Sequence, residues 1–144
     1  QELITNEILT KEHAGSIEID SIVHFFQTDI GKRLQKADRI EREVPFSYAL
    51  PAEELYEEAM GEHVLIQGVI DCLFEDKDGV VLIDYKTDAI QGKYPGGFQQ
   101  ARPILAKRYR VQLDLYGKAI EKITKKPLSS KVLYFFDGGN VLEI

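Results

Sequence analysis

Cysteine is almost missing from this chain. Cys72 stands alone, which excludes an internal disulfide and a cysteine-built zinc or iron–sulfur centre within the chain. A lone thiol fits a reducing, cytoplasmic setting. No apolar run approaches the ~18 residues that a membrane-spanning helix needs, and no secretory leader opens the sequence, so no membrane association is expected. The pattern Gly-x-x-x-x-Gly-Lys-Ser/Thr is also missing, so nothing here is built to bind ATP. There is no internal repeat, no low-complexity tract and no sign of a second domain. The chain starts at Gln1 and its only methionine is Met60, which leads us to expect a piece excised from something longer.

What is present suits one globular domain over residues 1–144. The 144 residues are 44% hydrophobic and 29% charged, and a chain of this size buries about 70% of its unfolded surface. The net charge of −6 argues at first against a nucleic-acid partner. Its distribution reverses that argument. Between Ala89 and Val111 lie Lys93, Arg102, Lys107, Arg108 and Arg110 with no acidic residue among them, leaving the remainder of the chain at −11. Such a segment would attract a phosphate backbone, although it would serve equally as a solvated basic loop.

The stretch Gly68–Asp88 carries the chemistry. It reads as two apolar strands around a tight turn within Asp76-Lys77-Asp78-Gly79, interrupted by Asp71, Asp84 and Lys86. In an antiparallel pair the indices of facing residues have a constant sum. A turn of two or four residues makes that sum odd, 155 or 157, and collects all three charges on one face; an odd-length turn would turn Asp71 away. Charges inside an apolar sheet are costly unless paired or bound to a metal. Two carboxylates and a lysine are the minimum set for metal-assisted phosphodiester hydrolysis, and a structural ion pair of Lys86 with one aspartate is the plainer alternative.

The remaining elements follow from periodicity. Residues 1–14 suggest a weak helix that breaks at Ala14-Gly15. Ile22, Phe25, Phe26, Ile30 and Leu34 predict one amphipathic helix from Ile17 to about Ala37, with Ser16 or Asp20 as cap. Ile40–Ala49 reads as a strand that Pro51 ends, and Ala52–Gly61 as a connection. His63–Glu75 and Val80–Lys86 look apolar enough to be buried on both faces. Ala89–Ala106 contains Gly92, Pro95, Gly96, Gly97 and Pro103 and predicts a long irregular loop, a candidate grip on DNA. Lys107–Lys125 is the clearest helix, Lys131–Phe136 a strand parallel to Val80–Lys86, and Val141–Ile144 a short edge strand. Thr87 and Asp88 could bind phosphate or cap a turn.

At Gly68-Val-Ile-Asp71 and Asp84-Tyr85-Lys86 the sequence resembles the PD-(D/E)xK nucleases, in their RecB-like branch. Arg42-Glu43-Val44-Pro45-Phe46, Gln112-Leu-Asp-Leu-Tyr116 and the ending Tyr134-Phe-Phe-Asp-Gly-Gly139 extend the likeness over nearly the whole chain, and make it similar to the C-terminal nuclease domains of bacterial helicase–nucleases of the AddA family. The resemblance implies an α/β restriction-endonuclease-like core of order αβββαβ, a mixed central sheet flanked by helices. It implies Mg²⁺, with Mn²⁺ able to substitute, on Asp71, Asp84 and the carbonyl of Tyr85. Lys86 would be catalytic, Glu43 would face the site, and Gln112 and Tyr116 would hold Lys86 and its strand. Lys93, Arg102, Lys107, Arg108 and Arg110 would contact DNA.

In that family a metal-coordinating histidine sits in an upstream Gly-Thr-x-x-His segment. This chain has no such segment, so neither His13 nor His24 inherits the role, and a lone histidine beside a helical stripe is read as structural. The function implied is Mg²⁺-dependent hydrolysis of DNA, the exonuclease part of an ATP-dependent helicase–nuclease in double-strand-break repair and recombination. The partners implied are a single strand emerging from the helicase and an AddB-like partner protein. Two rivals stay open: a module of the same fold that binds DNA or regulates without cutting, and a domain that docks a partner protein. A restriction endonuclease is disfavoured by the Gln-x-x-x-Tyr helix.

Overall fold

The computed structural model describes residues 19–55 and 61–144. The weak helix read in residues 1–14, with Ser16 and His13, lies outside them, as do residues 56–60 of the connection. Two short helices, α1 (Ile19–Gln27) and α2 (Asp29–Gln35), lead into β1 (Arg39–Pro51). Next come β2 (His63–Asp76), β3 (Gly79–Lys86), the long helix α3 (Gly97–Thr124), β4 (Leu128–Phe135) and β5 (Asn140–Glu143). The five strands form one mixed sheet in the order β1-β2-β3-β4-β5, with only the β3–β4 pair parallel. This is the expected αβββαβ order, with the first helix in two pieces and one added edge strand.

β3 lies at the centre of the sheet. Val81, Leu82 and Ile83 have no exposed surface, with Leu82 in the core beneath α3 and Val81 and Ile83 in the core beneath α1 and α2. Strand alternation therefore sends Asp84 and Lys86 to the α3 side and Tyr85 to the other. The hairpin turn has two residues: Asp76 pairs with Gly79 and Cys72 with Ile83, so the index sum is 155.

Three expectations need correction. The single helix from Ile17 to Ala37 is broken at Thr28, whose extended backbone and side-chain oxygen cap α2 by accepting from the Gly31 amide at 3.1 Å. Gly31 makes the sharp corner possible, because a Cβ there would lie 2.0 Å from the Phe25 carbonyl. The loop Ala89–Ala106 is helical from Gly97 onward. Ala101 and Leu105 are fully buried and Phe98 packs on Phe135, so the apolar stripe runs on past Pro103 and its burial outweighs the lost backbone hydrogen bond. Finally, β2 is buried on both faces only near its C-terminal end. It pairs with β3 from Cys72 to Asp76, but with β1 along almost its whole length. Residues 63–69 form a two-stranded arm with one bare face, where Leu65 is 60% and Val69 52% exposed.

The hairpin tip is tied to α2. Arg33 donates from Nε to Asp76 Oδ2 at 2.9 Å and from Nη2 to Oδ1 at 3.1 Å, and the Asp78 amide donates to the same carboxylate at 2.9 Å. The Arg33 hydrogen bond above all holds the Asp76 carboxyl below its ordinary value of 3.8. A carboxylate lowered in the folded state contributes stability above its unfolded pKa and loses it as pH falls through the folded value. Asp76→Asn should therefore cost about 1 kcal/mol in urea unfolding at pH 7. Its difference from the parent should shrink as the pH is taken below 3.8.

Candidate active site

The site arises where β2 and β3 part. In a ladder of index sum 155, the Tyr85 amide would next bond the Ile70 carbonyl. It donates instead to Asp71 Oδ2 at 2.7 Å, so the Asp71 side chain stands in for the missing strand partner. Side-chain alternation slips at the same point: Ile70 and Leu73 both join the α3-side core, while Cys72 and Phe74 join the opposite one. Directly across from Asp71 on β1, Glu43 has a φ of +50°, a left-handed conformation that is strained for a residue with a side chain. Both strands thus change direction at the Glu43–Asp71 pair, and a notch opens beside β3.

Asp84 and Lys86 line that notch from β3. Asp84 is 5% exposed, and its Oδ2 lies 2.5 Å from Lys86 Nζ. The contact joins the charges without the direction of a hydrogen bond, so this buried oxygen has no hydrogen-bond partner. Burial pushes the Asp84 carboxyl above its ordinary value; Lys86 opposes the rise and the charge of Asp71 adds to it. The Lys86 ammonium also donates to Gln112 Oε1 at 3.2 Å and lies 4.2 Å from the centre of the Tyr109 ring.

Tyr85 faces away, with its ring against Phe25, Phe136 and Tyr134. Its backbone remains available. A strand residue's N–H and C=O point to the same side. The Tyr85 amide reaches Asp71, so its carbonyl also looks into the notch, whereas the Lys86 carbonyl accepts from Phe136 on the β4 side.

Gln112 and Tyr116 divide the support between them. Gln112 touches Lys86; Tyr116 lies over Gly68, where a Cβ would come 2.6 Å from its hydroxyl, and its ring meets Phe46 edge-on at 4.9 Å. The glycine of the Gly68–Asp71 motif is what lets α3 sit this close to β2. Glu43 is exposed, and no group of three or more His, Cys, Asp and Glu side chains converges among the described residues, so Glu43 is not brought together with Asp71 and Asp84.

The basic residues are spread out. Lys93 lies near its neighbour's ring, Tyr94, and Arg102, Lys107 and Arg110 are exposed along α3 without an ion pair among the described residues. Arg108 alone is tied to the site, donating to Asp88 Oδ1 at 2.7 Å. Asp88 is taken up by Arg108 and by the Tyr109 hydroxyl at 2.6 Å. Sequence reasoning missed Tyr109; the signal was its position one helical turn before Gln112. His24 packs against the β4–β5 turn, where a Cβ on Gly139 would lie 2.2 Å from the imidazole Cδ2. A separate groove of about 560 Å³ beside β1, lined by Phe46, Leu73 and Ile120 among others, includes none of Asp71, Asp84 and Lys86.

The donor set suits a hard divalent cation, since the notch offers two carboxylates, one with a buried oxygen that lacks a hydrogen bond, and an inward-facing carbonyl. Comparison with known proteins points the same way. The family model of the PD-(D/E)XK nuclease superfamily matches residues 6–142. The chain is 52% identical over 145 residues to AddA, the larger-named half of an ATP-dependent helicase/nuclease, from Bacillus cereus (strain Q1), covering 99% of this chain and 12% of that protein. Proteins of the same description from Bacillus anthracis and Bacillus thuringiensis subsp. konkukian (strain 97-27) are 52% and 51% identical, with the same coverage. The chain thus spans about an eighth of the length of these curated relatives.

The titration of Asp84 is a direct check of this geometry. Without divalent ions, its carboxyl ¹³C signal should titrate above 3.8, and Asp71→Asn should lower the midpoint by removing a like charge. A carboxyl raised in the folded state favours folding at low pH, so its contribution to stability is lost as pH rises through that midpoint.

Proposed function

Because the chain belongs to the PD-(D/E)XK nuclease superfamily, we propose that its notch hydrolyses DNA phosphodiester bonds with a divalent cation, Mg²⁺ or Mn²⁺, held by Asp71, Asp84 and the Tyr85 carbonyl. The observation that carries this reading is the buried Asp84 oxygen without a hydrogen bond, set between the carboxylate of Asp71 and the ammonium of Lys86. A structural ion pair alone would not need a second carboxylate at the same point. When bound, such a cation withdraws charge from the phosphate and lowers the pKa of the attacking water.

The chain's own residues supply the rest. Lys86 orients the water and offsets the negative charge that builds on the phosphoryl oxygens. Gln112 fixes the direction of the Lys86 head, and Tyr116, lying on Gly68, holds β2 so that Asp71 stays opposite β3. Water oxygen bonds to phosphorus as the phosphorus–oxygen bond to the leaving nucleotide breaks. Arg108, and Lys93, Arg102, Lys107 and Arg110 along the same segment, contact the backbone and weaken in salt.

The relatives are named as parts of an ATP-dependent helicase/nuclease. For this chain we infer the nuclease part of such an assembly in the cytoplasm, acting in double-strand-break repair on a strand delivered by a helicase, with an AddB-like protein as partner. The chain itself has no ATP-binding pattern, so its cutting should not need ATP.

One observation favours a second reading. Only two carboxylates meet in the notch among the described residues, which suits a module that binds DNA without cutting it. Calorimetric titration with Mg²⁺ and Mn²⁺, followed by digestion of a labelled single strand, separates the two. On the nuclease reading, Mg²⁺ raises the melting temperature of the parent and leaves that of Asp71→Asn unchanged. Lys86→Ala and Asp84→Asn should cut about a thousandfold more slowly while melting cooperatively. A Lys86→Ala protein that cuts at the parent's rate would refute the assignment.

A further inference from the structure

Lys86 meets partners on three sides: Asp84 Oδ2 at 2.5 Å, Gln112 Oε1 at 3.2 Å and the face of the Tyr109 ring at 4.2 Å. The third belongs to no motif. The Asp84 oxygen that faces Lys86 is the buried one with no hydrogen bond, so Asp84 cannot hold the lysine and also give both oxygens to a cation. A four-carbon stem drifts once its head is released. Gln112 supplies a single bond. An aromatic face attracts the ammonium without supplying a hydrogen-bond acceptor, which leaves N–H groups free for water or a phosphoryl oxygen.

The ring is braced at its far end. Its hydroxyl donates to Asp88 Oδ2 at 2.6 Å, and Arg108 holds the other Asp88 oxygen at 2.7 Å. Asp88 follows Lys86 by two residues, so the chain segment that carries the lysine also carries the anchor of the ring. Burial first, and the Asp88 bond next, raise the Tyr109 phenol above its ordinary value of 10.0, keeping it a donor at neutral pH. The ring also packs against Phe135, with centroids 6.3 Å apart, so loss of fold has to be separated from loss of position.

We propose, on the reading of the notch as a metal-assisted phosphodiesterase, that Tyr109 is a positioning residue whose ring retains the Lys86 ammonium when Asp84 is engaged, with Asp88 as its brace.

The test compares Tyr109→Phe, which keeps the ring, with Tyr109→Leu, which removes it. In protein free of metal and DNA, the Lys86 ε-methylene proton signal should be shifted upfield by the ring in the parent and in Tyr109→Phe, and should return to the position of an exposed lysine in Tyr109→Leu. In cleavage with Mg²⁺, Tyr109→Leu should lose about tenfold in kcat, with KM for DNA within about twofold, and Tyr109→Phe should recover most of the loss. Asp88→Asn should fall between the two. If Tyr109→Leu fails to melt cooperatively, Tyr109→Met fills the same space without a ring and takes its place.

An unmoved Lys86 signal overturns the contact. A ring-free variant with the parent's kcat, or a Tyr109→Phe as slow as Tyr109→Leu, overturns the role of the ring while leaving the nuclease reading intact. A parent that cuts no DNA sinks that reading and this role with it, even if the methylene signal still reports the packed ring.

Discussion

A carboxylate buried in an apolar sheet is the constraint on which this structure turns. Asp84 sits in the central strand with almost no exposed surface, and burial raises its pKa despite the ammonium of Lys86 beside it. Left to water, neither charge would remain there, because desolvating an ion costs several kcal/mol and a close pair regains that only with good geometry. The pair is held because β3 is clamped on both sides, antiparallel to β2 and parallel to β4, with helices over each face. The strand cannot shift its charges to the surface without unpairing from both neighbours.

The opening beside that strand follows from how the ladder ends. Had β2 continued along β3, Ile70 would have satisfied the Tyr85 amide and Asp71 would have been one more cross-strand residue. Instead the Asp71 carboxylate takes the amide, β2 departs with β1, and the arm they form lies outside the central core. The kink needs a residue in an unfavourable backbone region at Glu43 and a glycine at position 68, where the Tyr116 ring fills the space of a side chain. Local strain and close packing of this kind are what keep a cleft open in a sheet that would otherwise close by hydrogen bonding.

Long-range packing also decided the shape of α3. By its own residues the segment from Gly97 to Ala106 is a poor helix, with glycine at its start and proline within. Phe98, Ala101 and Leu105 nonetheless continue the stripe of Leu113 and Ile120 onto the sheet, and the burial of those side chains extends the helix N-terminally. That extension presents Arg108 and Tyr109 to Asp88, and so gives Lys86 a third neighbour. The reverse happened at Thr28, where an apolar period that runs on evenly in sequence is cut by a side-chain cap and by Gly31, whose lack of a side chain lets the two helices meet.

Much of this was legible from local chemistry. The turn residues Asp76–Gly79, the apolar runs on either side and the index-sum argument were enough to place Asp84 and Lys86 on one face and to leave two registers, since alternation along a strand depends on counting alone. The membership in a nuclease superfamily could likewise be read from four short motifs in order, because each joins residues that lie close in sequence. What sequence could not decide was everything that depends on chain segments far apart: which register was taken, where the β2–β3 ladder stops, that Gln112 reaches Lys86 while Tyr116 reaches Gly68, and that Glu43 stays exposed. Those outcomes are set by competition among hydrogen bonds and buried surface across the whole sheet, and no stretch of residues contains both sides of that competition.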